Sequence, residues 1–128
     1  MVSLETTFLV DLLEGLPEAV EKVAALEASG EPKCTTAPAA AELLVGATRF
    51  GGENLERAVD LLESLTLLEF DLEACREAGR MGAALMARGE TISTVDLFIA
   101  AISKRHGQRV LTRDRAYARV RGLAMETY

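Results

Sequence analysis

Residues 2–13, VSLETTFLVDLL, place an apolar run directly before a carboxylate and two threonines. Residues 2–5 have the composition of a short buried strand, and the leucines after them recur at the spacing of one helix face. Glu5 therefore stands where a strand is predicted to end and a helix to begin. One acid at such a point indicates little unless other acids reach the same place.

Short apolar runs and helical spacings alternate along the rest of the chain. Further strands are predicted at residues 33–36, 66–70, 109–111 and 123–126. Further helices are predicted to begin near Leu16, Pro38, Leu55, Asp71 and Thr94, with Asp71 and Thr94 as caps, and a turn or short helix is predicted at Asp114–Val120. This alternation predicts an α/β fold with a parallel sheet covered by helices on both faces. Ligands of such sheets bind beyond the carboxyl ends of the strands.

Length and composition favour one globular domain over residues 1–128, of which 49% are hydrophobic. No apolar run approaches the roughly 20 residues of a membrane span, so no membrane association is expected. The N-terminus lacks a basic region, and acids interrupt it early, which argues against a signal peptide. We therefore expect a cytoplasmic protein.

Charge is distributed unevenly, although the net charge is −6. Residues 1–103 carry 18 acids against 7 bases, whereas residues 104–121 carry seven bases and one acid. A local basic segment of this kind is able to hold phosphates. The alternative is a solvated face whose charges pair with surface acids, and charge alone favours that alternative.

Four acids are predicted to meet at one edge of the sheet. Glu5 ends the first strand and Asp114 follows the strand at 109–111, while Glu42 and Asp96 lie near the starts of helices in AAAELL and STVDLFIAA. Each has an ordinary explanation of its own, as a cap, a turn residue or an exposed helix acid. An unpaired carboxylate on an apolar surface is costly unless a helix N-terminus or a cation compensates it.

Clustered carboxylates either share protons or bind hard cations, and Mg²⁺ prefers such oxygen ligands. The chain offers zinc no cluster of Cys and His, and it contains neither a glycine-rich phosphate loop nor a GxSxG nucleophile motif. Metal-assisted hydrolysis of a phosphodiester is the reaction class that fits acids beside a basic segment.

The order ETTFLVDLL, AAAELLVG, GETISTVDLFIAA and RVLTRD resembles a PIN domain, and most of all the toxin ribonucleases of VapBC toxin–antitoxin pairs. The resemblance covers nearly the whole chain and is most specific from Gly89 to Asp114. It implies a PIN-like three-layer fold with a short parallel sheet between helices, a homodimer, and cleavage of RNA restrained by a cognate antitoxin.

The resemblance also implies the residues of the site. The four family acids, which hold one or two Mg²⁺ or Mn²⁺ ions, match Glu5, Glu42, Asp96 and Asp114. Hydroxyls that support the site match Thr7 and Thr112. The basic segment itself, and not the resemblance, leads us to expect that Arg113 or Arg115 holds an RNA phosphate. An antitoxin usually supplies an amphipathic helix, for which the apolar faces of the first three helices offer a groove, although ordinary core packing is the more common use of such residues.

One departure from the family pattern concerns Glu5, because the first acid of the family is normally Asp. The longer side chain keeps the charge but is able to misplace a ligand of Mg²⁺, which demands near-ideal geometry. The leading hypothesis is a Mg²⁺- or Mn²⁺-dependent endoribonuclease toxin. The alternatives are an impaired PIN domain that binds RNA or antitoxin without cutting, and an unrelated α/β protein whose strand-end acid accepts a phosphate.

Overall fold

The computed structural model describes residues 1–128, in which five short strands alternate with six α-helices and one 3-10 helix. The strands are β1 (Val2–Leu4), β2 (Lys33–Thr36), β3 (Thr66–Leu68), β4 (Arg109–Leu111) and β5 (Met125–Glu126). The helices are α1 (Thr6–Leu13), α2 (Pro17–Ala28), α3 (Ala37–Phe50), α4 (Glu53–Glu63), α5 (Leu72–Ala87) and α6 (Thr94–Arg105), and the 3-10 helix is Arg115–Arg119.

The five strands are all parallel and lie in the order β3-β2-β1-β4-β5. The chain moves outward from β1 to β3 and then crosses back, which places β4 on the other side of β1. Strand order therefore reverses between β1 and β4, where sheets of this kind bind ligands beyond the strand ends. Leu4 pairs with Leu111 across this point, so the next residues, Glu5 and Thr112, are neighbours.

The centre of the sheet is covered on both faces. Val2, Ser3 and Leu4 are each at most 1% exposed, although successive residues of a strand point to opposite faces. Helices supply the cover, and Phe8 of α1 and Ile99 of α6 are fully buried in the same core. None of the helices combines the length and apolar character needed to cross a membrane.

The predicted α/β fold, with a short parallel sheet flanked by helices, is confirmed. Three strands are shorter than predicted. The first ends at Leu4 rather than at residue 5, the third ends at Leu68 rather than at residue 70, and the last covers only Met125–Glu126 rather than 123–126. Strand ends depend on which backbone groups find a partner in the neighbouring strand, and composition does not reveal this.

One of the two predicted helix caps is wrong. Asp71 caps α5 as predicted, because its Oδ1 accepts from the Ala74 amide at 2.8 Å. For α6, however, the cap is Ser93 rather than Thr94, and the Oγ of Ser93 accepts from the Asp96 amide at 3.2 Å. Serine and threonine are both favoured at helix N-caps, so residue type alone does not distinguish Ser93 from Thr94. The backbone conformation decides which of them is the cap.

Arg109 joins the start of β4 to two carboxylates and gives the fold a testable dependence on pH. It donates to both oxygens of Glu31 and to Glu126. The hydrogen bonds from Arg109 hold the pKa of Glu31 below its usual 4.5. Hydrogen bonds from Lys22 and, second, from Arg109 lower the pKa of Glu126 in the same way. A carboxyl with a lowered pKa stabilises the fold above its unfolded pKa and loses that contribution as pH falls through its folded pKa. We expect Arg109→Gln to lower the Tm at neutral pH by a few degrees. Below about pH 4.5, the Tm of this variant should fall less steeply with pH than that of the unmodified chain.

Arg76→Gln is the matched control for this experiment. Arg76 lies 3.6 Å from Glu73 on the exposed surface of α5, and such pairs contribute about 0–1 kcal/mol. Thermal unfolding of both variants across acidic pH is the measurement. An undiminished acid decline in Arg109→Gln would mean that other carboxyls control it.

Candidate functional site

Four elements each bring one acid to the carboxyl edge of the sheet. Glu5 follows β1 directly, and Asp114 is the third residue after β4. Helix α3 begins at this edge because it continues from the end of β2, and α6 begins there because its other end leads to the start of β4. Glu42 and Asp96 lie in the N-terminal halves of these helices, at the same edge.

The carboxylate of Glu5 is 2% exposed as a residue and turns back onto the start of α1. Its Oε1 and Oε2 accept from the Thr7 amide at 3.0 and 2.9 Å, and Oε1 also accepts from the hydroxyls of Thr7 and Thr112, the latter at 2.8 Å. Glu5 is therefore the N-cap of α1, where it satisfies a helix N–H that lacks a helical partner. Both threonines predicted to support the site contact this one acid.

Charge on Glu5 is unfavourable in this position. Burial raises the pKa of the Glu5 carboxyl, and the negative charge of Asp96 adds to the rise. Hydrogen bonds from Thr7 and Thr112 act in the opposite direction because they stabilise the ionised form. A cation nearby would favour the ionised form in the same way.

Asp96 is held by a residue that the sequence analysis did not identify. Tyr117, in the 3-10 helix, is fully buried and donates its hydroxyl proton to Oδ1 of Asp96 at 2.8 Å. Burial raises the pKa of Tyr117, and the charges of Glu5, Asp96 and Asp114 raise it further. The hydroxyl therefore keeps its proton and acts as a donor, and three of the four acids lie within electrostatic reach of it.

Glu42 reaches the same edge through a threonine. Its side chain is exposed, and Oε1 accepts from the hydroxyl of Thr6 at 2.7 Å. Thr6 follows Glu5 in the chain, so Glu42 is joined to the start of α1. Thr7 was predicted to support the site and Thr6 was not, because the only sequence signal for Thr6 is its position beside Thr7.

Asp114 serves as the cap of the 3-10 helix. Its Oδ1 accepts from the Ala116 amide at 2.9 Å, and its own amide donates to the Thr112 hydroxyl oxygen at 2.9 Å. Thr112 therefore contacts both the side chain of Glu5 and the backbone of Asp114. The cap accounts for one oxygen of Asp114 and leaves the other without a hydrogen bond from the protein.

The donor chemistry of this edge suits a hard divalent cation, because every available ligand is a carboxylate or hydroxyl oxygen. None of the four acids forms an ion pair within 4.0 Å, although nine of the 14 Lys and Arg residues pair with other acids. No three His, Cys, Asp or Glu side chains are close enough together to share one ion. Mg²⁺ keeps several waters and takes one or two carboxylates directly, so it does not need a closed set of protein ligands.

Much of the basic segment, residues 104–121, is ion-paired, as the surface-charge alternative predicts. Its paired members are Lys104 with Glu77, Arg105 with Asp71, Arg109 with Glu31 and Glu126, and Arg113 with Asp11 and Glu18. Arg119 instead donates to the carbonyl oxygen of Thr91 at 2.9 Å.

The two arginines predicted to hold RNA differ in their surroundings. Arg113 lies 3.8 Å from both Asp11 and Glu18, and its guanidinium sits 4.7 Å from the centre of the Tyr128 ring. Arg115 is exposed and has no acidic partner within 4.0 Å. Of the two, Arg115 is the one available to a phosphate without breaking an existing contact.

Comparison with known families places this geometry in context. A family model described as the PIN domain matches residues 2–123 of the chain. A comparison with curated proteins gave no significant match.

Several solved structures share the whole fold. A chain in the crystal structure of VapBC2 from Rickettsia felis, bound to a promoter DNA fragment, has a TM-score of 0.86 at 19% identity, and the match covers 100% of this chain and 99% of that one. A chain of DNA-bound VapBC from Salmonella typhimurium has a TM-score of 0.83 at 23% identity, and the match covers 99% of this chain and 98% of that one. A chain of VapBC-5 from Mycobacterium tuberculosis has a TM-score of 0.70 at 26% identity, and the match covers 98% of this chain and 95% of that one.

Proposed function

Because this chain belongs to the PIN domain family, we propose that it is a metal-dependent endoribonuclease that acts as the toxin of a toxin–antitoxin pair. Family membership confirms the PIN resemblance predicted from the sequence, and it removes the alternative of an unrelated phosphate-accepting protein. The observation that carries the proposal is that Glu5, Asp96 and Asp114 lie at one edge of the sheet and form no ion pair within 4.0 Å. Glu5 and Asp114 both contact Thr112, and Asp96 accepts from Tyr117. The similar solved structures are VapBC proteins, and the one from Mycobacterium tuberculosis is described as a member of the VapBC family of toxin–antitoxin systems, which supports the toxin role.

Asp96, Asp114 and Glu42 are proposed to hold the metal, one or two of them directly and the others through its bound waters, with Glu5 orienting the ion or its water. Asp96 and Asp114 each have one oxygen occupied by a protein donor, which leaves the second free for Mg²⁺ or Mn²⁺. Glu42 is exposed and able to turn from Thr6 towards an ion.

A divalent cation at this edge would lower the pKa of a bound water and stabilise charge on a phosphoryl oxygen. The chain's own residues would do the rest. Thr7 and Thr112 hold the Glu5 carboxylate in one orientation. Arg115, exposed beside Asp114, would bind an RNA phosphate and so position the backbone over the acids.

Cleavage of a mixed RNA panel by the purified chain tests this proposal. We expect cutting with Mg²⁺ or Mn²⁺ and none after addition of a chelator. Cutting that continues in the chelator would contradict metal dependence. No cutting of any RNA with either metal would favour the alternative described next.

The alternative is an impaired PIN domain that binds RNA or an antitoxin without cutting. One specific observation favours it, namely that both oxygens of Glu5 accept hydrogen bonds from Thr7. The Glu5 carboxylate thus turns back onto the start of α1, where it acts as a helix cap. In this alternative the acid at the end of β1 contributes to folding and not to a metal.

A groove between α1, α3 and α4 is the proposed docking surface for the antitoxin. It has a volume of about 170 Å³, and its apolar lining includes Val10, Leu13, Leu43 and Phe50. The first three helices were predicted to form this groove, but its lining includes residues of α4 and none of α2. An apolar groove of this kind fits one face of an amphipathic helix.

Phe50 provides a direct test of this surface, because it lines the groove and is 82% exposed. Covering a Phe side chain contributes about 1.5–3 kcal/mol, so Phe50→Ser is expected to weaken antitoxin binding by roughly 10- to 100-fold. The measurement is the Kd for the cognate antitoxin. Leu72→Ser, which replaces a residue 73% exposed on α5, should bind as the unmodified chain does, and equal losses in both variants would contradict the groove assignment.

The homodimer remains a prediction, and sedimentation of the purified chain tests it separately.

A further inference from the structure

Tyr117 is fully buried, and its hydroxyl faces one of the four acids. It is 0% exposed, and its hydroxyl lies 2.8 Å from Oδ1 of Asp96. The contact joins the 3-10 helix after β4 to the first turn of α6, across 21 positions of sequence. The two structural elements that flank the site are therefore linked at this point.

The contact restricts Asp96 in a particular way. A carboxylate that accepts a hydrogen bond at one oxygen loses rotational freedom about its terminal bond, while its second oxygen stays available. Oδ1 of Asp96 accepts from Tyr117, and Oδ2 accepts no hydrogen bond from the protein. The backbone amide of Asp96 is also fixed, by the Oγ of Ser93 at 3.2 Å.

We propose that Tyr117 is a positioning residue that holds Asp96 ready to ligate a divalent cation through Oδ2. This inference rests on the proposed function, since it assigns Tyr117 a task at the same site. Residues that hydrogen-bond a metal ligand typically contribute 10- to 100-fold to metal affinity or activity. The sequence pattern did not assign this task to Tyr117.

A purely structural role makes a different prediction. A buried hydroxyl needs a partner, and Asp96 is the nearest acceptor, so the bond would serve only to satisfy Tyr117. Removing the hydroxyl would then affect stability but not the metal. Tyr117→Phe distinguishes the two roles because it keeps the ring in the core and deletes only the donor.

The test is a Mn²⁺ titration followed by electron paramagnetic resonance, with circular dichroism of each variant in the absence of metal. Tyr128→Phe is the matched control, because the Tyr128 hydroxyl also donates to a carboxylate, Oδ2 of Asp11 at 2.6 Å, outside the four acids. We expect Tyr117→Phe to raise the Kd for Mn²⁺ by about 10- to 100-fold, with native circular dichroism, and Tyr128→Phe to leave it unchanged.

The titration separates failure of this inference from failure of the proposed function. Native Mn²⁺ affinity in folded Tyr117→Phe, with binding also seen in the unmodified chain, would overturn only the role of Tyr117. Absence of Mn²⁺ binding in the unmodified chain would overturn both. If Tyr117→Phe does not fold, Asp96→Glu is the second variant, because it moves the carboxylate while keeping Tyr117. We expect it to raise the Kd for Mn²⁺ by a similar factor. A native Kd in Asp96→Glu would overturn the inference.

Discussion

Asp96→Asn is expected to reduce metal-dependent RNA cleavage by about 10²- to 10³-fold at saturating Mg²⁺. A bound cation contributes several kcal/mol to the stabilisation of a phosphoryl transition state, and each 1.4 kcal/mol or so corresponds to a tenfold change in rate. Asparagine preserves the size of the side chain and its ability to accept from Tyr117, but it removes the negative charge. Single-turnover cleavage of the RNA panel measures the loss.

Asp60→Asn is the matched control, because it makes the same chemical change on an exposed part of α4 that leads towards the start of β3. It should cleave at the native rate. Native cleavage by Asp96→Asn would remove Asp96 from the site. A loss shared by both variants would indicate damage to the fold.

Glu5→Gln is expected to have the second-largest effect, a loss of cleavage of at least about 10²-fold on the same transition-state scale. An amide nitrogen cannot accept from the Thr7 amide or the Thr112 hydroxyl, so at least one existing contact is broken. The substitution also removes the charge that burial makes costly. These two changes act in opposite directions on stability, so we expect the Tm to change little while cleavage falls.

Glu5→Asp is the companion variant, since it keeps the charge and shortens the side chain by one methylene. Aspartate is a strong N-cap and is expected to maintain the start of α1. If the charge at the end of β1 serves the site, this variant cleaves at least as fast as the unmodified chain. A loss as large as that of Glu5→Gln would contradict this role for the charge, and an inactive native chain with an active Glu5→Asp would favour the impaired-module alternative.

The sequence was sufficient to predict the fold and the meeting of Glu5 with the residues after β4. The reason is topological, because alternating strands and helices produce a parallel sheet whose strand ends share one edge. Glu5 and Asp114 each follow a strand, so their approach did not depend on any side-chain detail. Their role in binding metal remains a prediction.

The contact between Tyr117 and Asp96 could not be predicted from the sequence. It depends on how a short 3-10 helix packs against the first turn of α6, and neither periodicity nor capping rules fix that packing. The only signal was an aromatic residue three positions after Asp114. The bond between Thr6 and Glu42, which spans 36 positions, was hidden for the same reason.

The arginines of the basic segment are grouped in sequence, but in the folded protein acids from distant parts of the chain lie beside some of them. Arg113 was predicted to contact RNA because it lies in a basic run, but α1 and α2 bring Asp11 and Glu18 beside it. Those acids are about a hundred positions away in sequence. Arg115, only two positions on, has no such partner and remains the stronger candidate.

The most direct test of the proposed metal centre is a crystal structure of the chain soaked in Mn²⁺, with anomalous diffraction used to locate the ion. We expect an anomalous peak among Glu5, Glu42, Asp96 and Asp114, at about 2.0–2.1 Å from carboxylate oxygens if the ion is bound as Mg²⁺ is. No peak there at millimolar Mn²⁺, or a peak elsewhere on the protein only, would contradict it.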